Sequence, residues 1–133
     1  MLFRSGGRVN RVQIYGMLGA AGDASVLLSA LAWAGGGGTA AVQAAFLRAA
    51  DSMGKDGGQL VFQPAVRAGL ADVDRALRAA AGFSPALKRA IVGAGLQAVA
   101  RDGRINDDEA EFLRAISAAI DVPVPLWVET AAA

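Results

Sequence analysis

Asp102, Asp107, Asp108 and Glu109 fall within one short segment, ARDGRINDDEAE, near the C-terminal end of a 133-residue chain. Carboxylates at this spacing can coordinate a hard divalent cation or exchange protons as an acid–base pair. An EF-hand calcium loop needs oxygen ligands at its first, third and fifth positions, glycine at the sixth, an aliphatic residue at the eighth and glutamate at the twelfth. Asp102, Gly103, Ile105 and Glu109 fit the fifth, sixth, eighth and twelfth, but Ala98 and Ala100 stand at the first and third. With two ligands missing, a regular EF-hand is excluded. What remains is a half-site in which Asp102, Asp107, Asp108 and Glu109 gather Mg²⁺ or Ca²⁺ weakly, alone or helped by Asp51 or Asp56.

The same residues also make sense without a metal. Gly103 suits the left-handed stop of one helix, Ile105 plugs a core, and Asn106 with Glu109 forms an Asn-x-x-Glu capping box for the next helix. A third reading is an acidic face that docks a partner. Residues 1–50 carry four arginines against one aspartate, and residues 101–133 carry three arginines against seven carboxylates. The whole chain, with 13 basic and 12 acidic residues, is almost neutral, so no global field recruits nucleic acid.

Other catalytic chemistry is narrowed by what the chain lacks. Cysteine and histidine are both absent, which removes disulfides, thiolate or imidazole metal sites and an HExxH zinc centre from this chain. Ser84 and Ser117 have no candidate base beside them in sequence. No catalytic constellation is expected, and no cofactor beyond a weakly held divalent cation.

The elements that must position the acidic turn read as helices separated by glycine and proline. Ala24 to Ala34 is an 11-residue apolar run capped by Asp23; a membrane span needs about 20 residues, so a buried core helix is expected and no membrane insertion by this chain. Gly35 to Gly38 then read as a flexible linker, since a phosphate-cradling loop would need a following Lys-Ser/Thr or a preceding strand. Thr39 caps a helix over about 40–53 with Val42, Phe46, Leu47, Ala50 and Met53 at helical spacing. Lys55 to Gly58 read as a surface turn. Pro64 opens a third helix whose stripe is Val66, Leu70, Val73, Leu77 and Ala80. Ser84-Pro85, an N-cap followed by proline at the first helical position, opens a fourth over about 85–101. Its inward residues are Leu87, Ile91, Ala94, Ala98 and Val99, and Gly93 and Gly95 allow a close helix neighbour. A fifth over about 107–120 faces Phe112, Leu113, Ile116, Ala119 and Ile120 to the core.

These signals predict an all-α, compact bundle of about five helices. Residues 1–22 read as an irregular or truncated N-terminal segment, 23–128 as the helical domain and 129–133 as a frayed tail. The first residues carry no secretion signal, and the lack of cysteine fits a reducing compartment. At 54% hydrophobic residues, the chain is expected to leave an exposed apolar patch for a protein partner, near residues 9–34.

The stretch from Ser84 to Trp127 resembles the TerB-like, tellurite-resistance-associated helical module. The resemblance is carried by Ala-x-Asp-Gly-x-Ile-x-x-x-Glu-x-x-x-Leu from Ala100 to Leu113. More closely, it resembles the cytosolic C-terminal region of bacterial membrane-anchored zinc metallopeptidases of the CAAX-prenyl-protease/HtpX superfamily, through Pro85 to Arg89, Asp102 to Arg104, Glu109 to Ile116, and Pro123 with Pro125. The family's spans and HExxH segment have no counterpart here. The resemblance implies a non-catalytic accessory or regulatory domain that contacts a protein partner or parent peptidase domain, in the cytoplasm and tethered to the inner membrane through another part. A stand-alone TerB-like stress-response module is the alternative it implies, with Asp102, Asp107, Asp108 and Glu109 as the residues that would hold a divalent cation.

Overall fold

The computed structural model describes residues 17–100 and 107–122. Among them are five α-helices: α1 (Met17–Ala34), α2 (Thr39–Ser52), α3 (Leu70–Ala80), α4 (Pro85–Val99) and α5 (Asp107–Ala119). Two 3-10 turns, Gly54–Gln59 and Ala65–Arg67, lie between α2 and α3. No extended strand occurs among the described residues, and the all-α bundle expected from the sequence is the fold.

The bundle is organised around α1, which packs against each of the other four helices. Its sequence explains why. Ala20, Ala24, Leu27, Leu28, Ala30, Leu31 and Ala32 are all buried, and they spread over more than half of the helix circumference rather than along one stripe. A helix so broadly apolar is stable only in the middle of a protein or in a bilayer. None of the described helices is long and apolar enough to cross a membrane, and α1 takes the first solution. It also starts at Met17, well before the position that Asp23 would cap. Gly19 and Gly22 each cost about 1 kcal/mol in a helix relative to alanine, but burial of Ala20 and Ala24 against the bundle outweighs that cost. Asp23 is therefore a mid-helix residue, half-buried, and not an N-cap.

The four-glycine run is a closed turn and not a slack linker. Gly35 and Gly36 donate backbone hydrogen bonds to the carbonyls of Ala32 and Trp33. Gly36 and Gly37 adopt φ of 72° and 88°, values that side-chain-bearing residues rarely take. The turn leads into α2, which packs against both α1 and α4 and buries Val42, Ala45, Phe46, Ala49 and Ala50. Leu47, expected to face inward, is 51% exposed; the small pair Ala45 and Ala49 holds the contact face instead. Thr39 is the first residue of α2, with Gly38 at the cap position and no side-chain cap.

The third helix starts later than its apolar stripe suggested. Pro64 precedes a single 3-10 turn, and α3 begins only at Leu70. Val66 and Leu70 consequently stand outside the packed face, 82% and 88% exposed. Val73, Ala76 and Ala80 form the buried line, and α3 lies along α1.

Helix α4 follows the sequence closely. The Ser84 hydroxyl accepts from the Leu87 amide at 3.2 Å, and Leu87, Ile91, Ala94, Ala98 and Val99 are all buried. Gly95 is where α1, α4 and α5 meet. A Cβ there would lie 3.0 Å from the Cδ1 atoms of both Leu113 and Leu31. Gly93 opens to solvent and serves no close approach. In α5, Ala110, Leu113, Ile116 and Ser117 face the core, whereas Ala119, expected inside, is exposed and Phe112 is half-buried. Ile120 and Val122, just beyond the helix, are buried.

Candidate functional site

Of the four carboxylates singled out by spacing, Asp102 lies outside the described residues, together with Gly103, Ile105 and Asn106. The other three occupy the first turn of α5. Asp107 and Asp108 are exposed. Glu109 is 3% exposed, on the same face of the helix as buried Leu113 and Ile116. Burying a carboxylate is costly, and Glu109 takes part in at least one bonding or electrostatic interaction. The turn thus divides its carboxylates, two toward solvent and one into the protein. Among the described residues no group of three acidic residues lies close enough together to hold a metal ion. Asp51 and Asp56, the suggested helpers, are exposed on α2 and the turn that follows. Three negative charges at the positive end of the α5 dipole do stabilise the helix start.

The two serines considered as nucleophiles are both buried. The Ser84 hydroxyl is committed to capping α4. The Ser117 hydroxyl is enclosed and meets no hydrogen-bond partner. Neither is presented to a substrate.

The most specific polar arrangement is one that sequence reasoning missed. Ser25, Ser29 and Trp33 stand four residues apart on α1 and grip the extended segment Leu60 to Gln63. The Val61 amide donates to the Ser25 hydroxyl at 2.9 Å and the Gln63 amide to the Ser29 hydroxyl at 2.9 Å. The Trp33 indole N–H donates to the Gln63 carbonyl at 2.9 Å. The register follows from the two repeats. Four residues of α-helix rise about 6 Å, and two residues of extended chain rise about 6.6 Å, so hydroxyls one turn apart meet alternate amides. Between the gripped residues, the Phe62 ring enters an aromatic corner. It stacks on Trp33 with ring centres 5.8 Å apart and tilts against Phe46 at 5.4 Å. The signal was present in the sequence as a polar pair and a tryptophan at helical spacing within an apolar helix.

Two further features complete the described surface. Asp23, on α1, has its carboxyl pushed up by burial, an effect that Arg75 of α3 partly offsets. Lys88, Arg89 and Asp121, with Pro85 and Val122, line a shallow depression of about 160 Å³ at one end of the bundle. Of the segment 9–34, where an exposed apolar patch is expected, residues 9–16 lie outside the described residues. In α1 the large aliphatic side chains Leu27, Leu28 and Leu31 are buried, and the exposed ones among the described residues are Leu47, Val61, Val66 and Leu70.

The class that fold and surface define is an all-α bundle with a clasped extended segment. No family model, no curated protein and no solved structure matches the chain.

Proposed function

We propose that this chain is a non-catalytic accessory or regulatory module that works through protein contacts, of the TerB-like kind found beside membrane-anchored zinc metallopeptidases of the CAAX-prenyl-protease/HtpX superfamily. The observation that carries the reading is the exposure of Val66 and Leu70, 82% and 88%. With Val61 at 62%, they place three large aliphatic side chains in water within a ten-residue stretch. Scattered single apolar residues are ordinary on a surface, whereas a local concentration marks a contact site. The motif between Ser84 and Trp127 and the helical fold support the peptidase-associated setting, in which the module sits in the cytoplasm, tethered to the inner membrane through another part.

The test begins in the genome of origin. An in-frame HExxH and several apolar spans upstream of codon 1 are expected. An isolated start site behind an unrelated gene would overturn the peptidase setting. For the contact role itself, Val66→Asp with Leu70→Asp should leave the helical signal intact and abolish association with the encoded peptidase domain; unchanged association would overturn it.

A second reading, a stress-response module weakly holding a divalent cation, draws on the exposed pair Asp107 and Asp108 at the start of α5. Calorimetric titration with Ca²⁺, Mg²⁺ and Zn²⁺ decides it. Heat and a thermal shift that vanish in Asp107→Asn with Asp108→Asn would support the cation; no heat and no thermal shift would remove it.

A further inference from the structure

We propose that the face of α1 formed by Ser25, Ser29 and Trp33, backed by Phe46 of α2, is a recognition groove for an extended peptide segment. The chain's own residues 61–63 fill it, and a partner's segment of the same chemistry takes their place when this strap lifts. The groove reads main chain. Two hydroxyls take alternate amides and an indole N–H gives to a carbonyl, so any extended segment with the right pleat satisfies all three. Selectivity comes from the corner between Trp33 and Phe46, which takes an aromatic ring at the central position. The partner's segment is therefore extended, with an aromatic residue between two residues whose amides are free.

The strap is built to be released. Its amides at 61 and 63 are bonded to side chains and not to a backbone ladder, and the one backbone bond at its start, from the Leu60 amide to the Gly57 carbonyl, is local. Gly57 is fixed, since a Cβ there would overlap the Ala50 carbonyl of α2. The next residue, Gly58, has open space around it and lies just before the strap, while Gly69 lies beyond it. These two glycines can absorb the backbone rotation of a hinge. Val61 already turns outward within the strap, and Val66 follows, so an arriving segment finds aliphatic surface beside the groove.

The inference rests on the protein-contact reading for the existence of a partner, but its test needs only this chain. Phe62→Ala empties the aromatic corner, and circular dichroism checks that the helices remain. A labelled peptide of residues 59–65, QLVFQPA, is then titrated and followed by fluorescence anisotropy. Saturable binding is expected, weakened about tenfold or more when Ser25→Ala and Ser29→Ala are added or when the peptide's phenylalanine becomes alanine. No binding to the folded Phe62→Ala chain would overturn the groove. Dimerisation of that variant without peptide binding would assign the groove to a second copy and overturn the partner. Hydrogen exchange on the unsubstituted chain decides the release step even if the variant fails to fold. The Val61 and Gln63 amides are expected to exchange about tenfold or more faster than the Leu28 amide in α1, as in opening of a local unit; equal rates would overturn a strap that lifts by itself. Loss of the peptidase setting would leave each of these results unchanged.

Discussion

The Gln63 amide donates to the Ser29 hydroxyl at 2.9 Å across 34 positions of sequence, and Ser29 is wholly enclosed by the bundle. A hydroxyl in the middle of an apolar helix is ordinarily a liability, because a buried polar group without a partner costs free energy. Here it organises the connection between α2 and α3, a long stretch without α-helix. Ser29→Ala removes the acceptor and leaves the Gln63 amide facing a methyl group. A loss of about 1–2 kcal/mol is expected, read as a lower urea midpoint at unchanged slope. An unchanged midpoint would mean the strap adds nothing to global stability.

Gly93 and Gly95 are two residues apart in α4 and should respond differently to the same change. At Gly93 an added methyl group meets open space, so Gly93→Ala should stabilise by about 1 kcal/mol through helix propensity alone. At Gly95 it meets Leu113 and Leu31 at 3.0 Å, and the crowding consumes that gain. Gly95→Leu should destabilise by about 1–3 kcal/mol or more, as overpacked cores do. Thermal melts of the three variants check the order; a Gly95→Leu chain as stable as the parent would contradict the close meeting of α1, α4 and α5.

The cap of α4 is local and separable from the bundle core. Ser84→Ala removes the bond to the Leu87 amide and should cost about 1 kcal/mol, whereas Ser84→Asp should retain most of the stability. Equal stability of the alanine variant and the parent would show that Pro85 alone sets the helix start.

Asp23 predicts a pH dependence of definite sign. Its carboxyl titrates above the ordinary 3.8 because burial disfavours the charge, with Arg75 opposing. A carboxyl raised in the folded state contributes stability below its unfolded pKa and loses it as pH rises through the folded value. The charged form is thus the destabilising one at neutral pH. Asp23→Asn should be more stable than the parent at pH 7, and the difference should shrink as the pH is lowered toward 3.8 and below. Urea titrations across that range measure it; an advantage that grows toward low pH would reverse the assignment.

Much of the bundle is legible in the sequence alone. Ser84-Pro85 specified where α4 begins, because an N-cap hydroxyl and a proline at the first helical position act through neighbouring atoms only. The glycine run marked a break between two helices, because four glycines cost too much backbone entropy to stay helical, but not the closed turn that it forms. The inward face of α4 followed from periodicity. Tertiary packing decided the rest. It extended α1 back to Met17 across two glycines, since burial of a broad apolar face outweighs a local propensity cost. It put Val66 and Leu70 in water although their spacing matched a helical stripe, because the chain is extended through Gln63 and Pro64 and α3 starts too late to turn them inward. It buried Glu109 and left Asp107 and Asp108 outside, dividing a cluster that looked continuous in one dimension. Spacing along a chain reports which residues can share a face. Only the packed neighbours, such as the amides that reach Ser25 and Ser29 from residues 61 and 63, determine what that face holds.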